Sequence, residues 1–140
     1  MEIEAFKSLC ADIVADPELQ PSEGVTHCNQ GLMAIAGEFG FKDFEGKMAN
    51  ACIDLMATDM RWRECTAEEA WTWAMSGNLA VACMKEDVHG HVAVICPGDK
   101  VASGKWEVDV PQIANVGQKN GIFGENFAFR EPPKHYLYQG

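Results

Sequence analysis

The chain has 140 residues, of which 47% are hydrophobic and 23% are charged, a composition typical of one folded domain. Its formal net charge of −10 argues against a nucleic-acid partner, which needs clustered lysines and arginines, and gives no support for charge-driven binding to an anionic membrane or wall polymer. No apolar run approaches the length of a membrane span, and the acidic segment Met1-Glu2-Ile3-Glu4 does not resemble a secretory signal. We therefore expect a single domain over residues 1–140, made in the cytoplasm, with no membrane span and no nucleic-acid partner.

Four helices are predicted in the first half of the chain. Apolar residues recur at helical spacing in each, and Thr66-Ala67-Glu68-Glu69 is a capping box that begins the fourth. Gly77 is the kind of residue that ends a helix. The predicted helices cover residues 3–15, 28–40, about 46–56 and 66–77.

After Gly77 the pattern changes from helical to extended. The predicted strands cover residues 79–84, 91–96, 106–110, 113–116, 127–130 and 136–138, the third and fourth forming one or two strands. Asn120-Gly121 and Gly124 are interpreted as chain breaks between strands. Helices first and strands second predict an α+β fold, with N-terminal helices packed on an antiparallel sheet that runs from about 78 to 138.

Cys28 is the outstanding residue among the six cysteines. The other five fall in patterns that look buried and are interpreted as small core residues of a reduced protein. Cys28 instead stands where a loop becomes a helix, and a helix N-terminus stabilises a thiolate through unpaired N–H groups and the helix dipole. His91 begins the buried strand Gly90-His91-Val92-Ala93-Val94-Ile95, from which an imidazole can take up the thiol proton and later return it.

A third polar group is needed to orient the imidazole. Asn115 lies on a strand that could neighbour the histidine strand, and Gln112 is the second candidate for this role. Each of these residues also has a simpler interpretation: Cys28 as a buried structural cysteine, His91 as a core histidine, and Asn115 as a turn residue. His27 and His89 are interpreted as loop residues and His135 as a surface residue.

Metal binding is disfavoured by the spacing of the histidines. His89 and His91 would lie on the same face of a strand, but no third ligand with a recognisable spacing accompanies them. We expect neither a metal nor another cofactor.

Several short motifs carry a resemblance over residues 22–138. They are Thr26-His27-Cys28-Asn29, Ala49-Asn50, Glu69-Ala70-Trp71, Gly90 to Gly98, Ile113 to Gly117, Asn120-Gly121 and Phe127-Ala128-Phe129. In these motifs the chain resembles the bacterial and phage cell-wall cysteine amidase and peptidase superfamily, the CHAP and NlpC type of papain-like fold. The resemblance implies Cys28 as nucleophile, His91 as general base and Asn115 as the third residue. CHAP proteins often carry an acid shortly before that asparagine, where this chain has Ile113.

The resemblance further implies hydrolysis of amide bonds in peptidoglycan, at the stem peptide, the cross-bridge or the sugar–peptide junction, by a phage lysin or an interbacterial effector. Thr26 and Gln112 are candidates for binding the substrate or its oxyanion. We expect a monomer that reaches the cell wall or periplasm after lysis or dedicated export, with a delivery partner or a cognate immunity protein. The alternatives are a papain-like thiol enzyme acting on a protein or lipid, and a non-catalytic binding domain of the same fold.

Overall fold

A computed structural model describes residues 1–140 and confirms the α+β fold class. The four α-helices are α1 (Ile3–Ala15), α2 (Cys28–Glu38), α3 (Ala49–Thr58) and α4 (Ala67–Met75). The strands are β1 (Trp62–Cys65), β2 (Ala80–Met84), β3 (His91–Ile95), β4 (Val101–Ser103), β5 (Val108–Val110), β6 (Gln112–Asn115), β7 (Gly121–Gly124) and β8 (Lys134–Tyr138). Short 3-10 helices cover Pro17–Leu19 and Glu125–Phe127.

Six of the strands form one antiparallel sheet in the order β1-β8-β2-β3-β6-β7, and β4 and β5 form a separate hairpin. β3 pairs with β2 from His91 to Val94. Its pairing with β6 is confined to Val94 and Ile95, so β6 separates from β3 toward the beginning of β3. This separation leaves room between two neighbouring strands at the place where the candidate histidine lies.

All four helices contact the six-stranded sheet. One cluster of 30 buried residues includes side chains from every helix, so the chain folds around a single core. All six cysteines are free thiols. Five of them are buried and the sixth, Cys65, is half-buried. The longest helix has 13 residues, and no helix has the length and hydrophobicity needed to cross a bilayer.

The capping box at the start of α4 is formed as the sequence predicts. The Thr66 hydroxyl accepts from the Glu69 N–H at 3.0 Å, and the Glu69 carboxylate accepts from the Thr66 N–H at 3.0 Å. Gly77 follows the helix with a φ of 83°, a conformation that favours glycine. Both signals depend on residues close in sequence, which is why the pattern was sufficient to predict them.

Several predicted strand boundaries are wrong. The sheet begins earlier than about 78, because β1 precedes α4 and pairs with β8. β4 was not predicted, and Trp106 lies in the turn that follows it. Gly121 to Gly124, expected to break the chain, form edge strand β7, where glycine is tolerated on the border of a sheet. Residues 127–130, expected as a strand, instead belong to a segment that crosses from β7 to β8.

Gly31, one turn into α2, allows this helix to pack closely on the segment after β6. A Cβ atom at this position would lie 2.8 Å from Cγ2 of Val116. We therefore expect Gly31→Ala to lower the free energy of unfolding by about 1–3 kcal/mol, measured by urea denaturation. Gly37→Ala is the matched control in the same helix, since its Cβ would meet nothing within 4 Å. It should raise stability by about 0.5–1 kcal/mol, and equal effects of the two substitutions would contradict this account.

Candidate active site

Cys28 is the first residue of α2 and is 8% exposed. The preceding residue, His27, makes no side-chain capping hydrogen bond, so the first N–H groups of the helix are left without a side-chain cap. The backbone N–H groups of Cys28 and Asn29 face the Cys28 sulfur and favour its thiolate form. The helix start therefore favours the thiolate, but burial of the thiol has the larger effect and raises its pKa, so the expected stabilised thiolate is not the resting form.

The Cys28 sulfur also lies against the beginning of β3. Alternate residues of a strand direct their N–H groups to the same side, and Cys96, just after β3, donates to Gln112 in β6. Val92 has the same parity but lies where β6 has separated from β3, and its N–H is close enough to the Cys28 sulfur to favour the thiolate form. The thiol thus lies near the residue that follows His91.

His91 and Asn115 form a direct side-chain pair. The His91 Nε2 and the Asn115 Oδ1 are 2.6 Å apart, and the Asn115 Nδ2 donates to the Lys119 carbonyl at 2.8 Å. Because Nδ2 is committed to a carbonyl, Oδ1 must accept, and Nε2 must carry the imidazole proton. Nδ1 is then the ring nitrogen free to accept a proton. The Phe129 ring packs 5.2 Å from the imidazole centroid and restricts its rotation.

Both catalytic candidates favour their neutral forms in the free protein. Burial is the largest influence on Cys28 and raises the pKa of its thiol, against the smaller effect of the three N–H groups. Burial is also the largest influence on His91 and lowers its pKa, whereas the hydrogen bond to Asn115 raises it. A neutral imidazole is the form that can accept a proton, and a neutral thiol is the form that can give one.

This neutral resting state predicts the pH dependence of thiol alkylation. Iodoacetamide reacts with thiolate, so the rate at Cys28 should rise as pH increases through a midpoint above the ordinary thiol range. His91→Ala should leave that midpoint nearly unchanged, because an imidazole with a lowered pKa carries no charge at neutral pH. The rate at Cys28 is measured by mass spectrometry of labelled peptides over pH 5 to 10. A reactive plateau below neutral pH that disappears in His91→Ala would show a thiolate–imidazolium pair instead.

Two adjoining cavities open on these residues. The cysteine cavity has a volume of about 250 Å³ and is lined by Cys28, Val25, Met48, Ala49 and Val88, among others. The histidine cavity has a volume of about 690 Å³ and is lined by His91, Asn115, Lys119, Phe123 and Phe127, among others. Gly24, Thr26, His89 and Gly90 line both. Together the two cavities form a cleft that passes the nucleophile on one side and the candidate base on the other.

Thr26 and Gln112, the two further candidates from the sequence, lie in different places. Thr26 is exposed and lines both cavities, so it is positioned to contact a ligand. Gln112 lies at the opposite end of β6 from Asn115 and lines neither cavity. Its amide donates to the Asp99 carbonyl at 3.0 Å and holds the loop after β3. The structure therefore does not bring Gln112 to the cleft.

A buried acid–imidazole pair behind the cleft was missed by the sequence analysis. His135, expected on the surface, is 5% exposed, and its Nε2 lies 2.8 Å and 3.1 Å from the two carboxylate oxygens of Glu125. Glu125 is 2% exposed and begins the segment that crosses to β8. The available signal was the aromatic and apolar run Tyr136-Leu137-Tyr138 that directly follows His135, and β8 is buried from His135 to Leu137 despite the two prolines before it.

No group of three histidine, cysteine, aspartate or glutamate side chains converges where it could hold a metal ion. His89 is exposed on the rim of the cleft, whereas His91 is half-buried and bound to Asn115.

No protein-family model matches this sequence, and no curated protein matches it. The chemistry of the cleft is therefore inferred from its own residues.

Proposed function

We propose that the protein is a papain-like thiol hydrolase that cuts amide bonds of bacterial peptidoglycan. Cys28 is the nucleophile, His91 the general base and acid, and Asn115 the residue that orients the imidazole. The observation that carries this proposal is the His91–Asn115 pair at 2.6 Å, on a strand against which the helix that begins with Cys28 is packed. A thiol, an imidazole and an orienting amide are the groups that acyl transfer requires.

In the first half of the reaction, the Cys28 sulfur attacks the amide carbonyl carbon while the thiol proton passes to Nδ1 of His91. A carbon–sulfur bond forms, and the carbonyl oxygen becomes an oxyanion. When the carbon–nitrogen bond breaks, the imidazolium gives its proton to the departing amine. The Asn115 Oδ1 stabilises the imidazolium throughout, because it accepts from the Nε2 proton.

In the second half, a water molecule gives a proton to His91 and adds its oxygen to the thioester carbon. Collapse of this intermediate breaks the carbon–sulfur bond and releases the acid, and the proton on His91 returns to sulfur. Every proton taken up by the imidazole is thus given back, and the enzyme returns to its neutral state.

The oxyanion needs hydrogen-bond donors that are in place before the reaction. The Cys28 N–H at the start of α2 is one candidate, and a single donor of this kind contributes about 3 kcal/mol to lowering the barrier. Thr26 is the second candidate, since it is exposed and lines both the cysteine cavity and the histidine cavity.

The cleft is compatible with an extended polymer such as a wall peptide, because the two cavities share four lining residues and so lie next to each other. Access to the wall would come from lysis or from dedicated export. In the second case we expect a delivery partner and an immunity protein that covers the cleft in the producing cell.

A second candidate function keeps the same chemistry on a protein or lipid acyl substrate. The observation that favours it is the apolar rim of the cysteine cavity, where Val25, Met48 and Val88 are 56%, 64% and 76% exposed. Exposed apolar side chains beside a nucleophile suit an acyl chain or a hydrophobic peptide.

Digestion of purified sacculi tests the proposal. Wild-type protein should release soluble fragments whose new amino and carboxyl termini, read by mass spectrometry, identify the bond. Protein alkylated at Cys28 beforehand should release none. The absence of fragments from a folded protein whose Cys28 still reacts with iodoacetamide would replace the wall by the second substrate class.

A further inference from the structure

The cleft has a charge opposite in sign to the rest of the protein. The chain carries 21 aspartates and glutamates and a net charge of −10, yet no acidic residue lines either cavity. Among the lysines and arginines of the protein, only Lys119 lines the cleft. Glu86, whose charge acts on His91, is itself paired with the Arg130 guanidinium at 2.8 Å. An acidic protein with an acid-free cleft is arranged to admit an anion there.

Lys119 has no carboxylate partner of its own. Its ammonium group makes no ion pair within the protein and lies 5.9 Å from the centre of the Phe123 ring. By contrast, Lys85 and Lys100 on the same protein each contact a carboxylate, at 2.7 Å and 2.6 Å. The charge of Lys119 is therefore available to a ligand.

The backbone that carries Lys119 is held by the candidate active site. Its carbonyl accepts from the Asn115 Nδ2 at 2.8 Å, so one amide side chain contacts both His91 and this loop. Asn120 adds two more bonds, since its Oδ1 accepts from the Gly117 N–H and its Nδ2 donates to the Leu19 carbonyl. The position of Lys119 is thus coupled to the position of the imidazole, and little ordering of the loop remains to be done on binding.

Lys119 lies on the histidine side of the cleft, and this position determines which half of a substrate it can contact. This step rests on the proposed function. The acyl half of an amide becomes attached to Cys28, which lines the cysteine cavity, whereas the amine half receives its proton from His91 and leaves through the histidine cavity. Lys119, Phe123 and Phe127 line only the histidine cavity.

We propose that Lys119 binds a carboxylate on the amine half of the substrate, close to the bond that is cut. The preferred substrate is then an amide whose leaving amine is an amino acid with a free carboxyl group. Cleavage before a chain-terminal residue releases such an amine. Cleavage at a sugar–peptide junction does not, because the carboxyl group there continues into the peptide.

Binding of a matched pair of probes tests this assignment without turnover. The probes are N-acetyl-alanyl-alanine and its C-terminal amide, each in L,L and D,D forms, titrated into isotope-labelled Cys28→Ala protein and followed by NMR. The free acid should bind about fivefold more tightly than the amide, shift the resonances of residues 117–120, and lose its advantage as salt increases.

Two charge-matched variants complete the experiment, both made in the Cys28→Ala background. Lys119→Met should abolish the preference for the acid, and Lys42→Met, which removes an exposed lysine outside both cavities, should leave it unchanged. Equal binding of acid and amide, or the absence of shifts at residues 117–120, would overturn the assignment. Sacculus digestion by wild-type protein together with equal probe binding would leave the hydrolase in place and remove only the role of Lys119. Tighter binding of the acid than of the amide, together with no sacculus digestion, would keep a carboxylate site and remove the wall hydrolase.

Discussion

Cys28→Ala is expected to abolish sacculus digestion while leaving the protein folded. Loss of a general base alone lowers enzymatic rates by about 10²–10⁴-fold, and loss of the nucleophile removes the bond-forming step that the base assists. The structural cost is small by comparison, about 1 kcal/mol, because alanine keeps the Cβ atom and the helix start does not depend on a side-chain cap. Fragment release measures the first effect, and circular dichroism with urea denaturation measures the second.

Cys65→Ala is the matched control for this experiment. Cys65 is the half-buried cysteine outside the cleft, and its pKa is raised to about 12, mainly by burial. Its removal should leave digestion unchanged. Retained digestion by Cys28→Ala would show that another residue carries the chemistry, and loss of digestion in both variants would point to general damage to the fold.

Removal of the Glu125 carboxylate is expected to be strongly destabilising. Glu125 and His135 are both buried, so each compensates for the missing hydration of the other. Breaking a buried pair by deleting one partner costs about 3–5 kcal/mol, a large part of the roughly 5–15 kcal/mol that stabilises a typical domain. We therefore expect Glu125→Ala to lower the urea midpoint strongly.

Two further variants separate the loss of the pair from the loss of packing. Glu131→Ala removes an exposed acid from the same crossing segment and should change stability by less than about 0.5 kcal/mol. Replacing Glu125 and His135 together by leucine should recover much of the stability lost in Glu125→Ala, since neither polar group is then left unpaired. If Glu125→Ala were as stable as wild type, the pair would have no structural importance.

The buried pair also affects the site through the segment that it holds. The Glu125 carbonyl accepts from the Phe129 N–H at 3.2 Å, and the Phe129 ring packs on His91. Glu125→Ala keeps this backbone carbonyl, so we expect it to loosen the imidazole only through movement of the segment that its side chain anchors to His135.

Local signals explain which parts of the fold could be predicted from the sequence. The capping box at Thr66 and the helical spacing of α1 involve neighbours in sequence, and both are present in the structure. Strand β1 has four residues, too few for a periodic pattern to appear, and it pairs with residues of β8 that come 70 to 76 positions later in the chain. The burial of His135 depends on the carboxylate of Glu125, which reaches it from the segment that crosses from β7 to β8.

The candidate site shows the same division. The order of Cys28, His91 and Asn115 along helix, strand and strand was sufficient to predict the His91–Asn115 pairing, because chemistry requires these groups to be close. The separation of β6 from β3 could not be predicted, since it occurs where α2 packs on the segment after β6 and involves residues far apart in sequence. The Lys119 loop was also missed, because an exposed lysine has no distinguishing pattern in the sequence.

The closeness of the Val92 N–H to the Cys28 sulfur gives this protein an intrinsic spectroscopic probe. The amide lies near the atom that would be thiol, thiolate and acylated sulfur in turn, and each of these states differs in charge. Its proton resonance should therefore move with every change at sulfur, in a protein that needs no attached label. Deacylation can then be timed in a mixture of unmodified substrates by following one backbone signal.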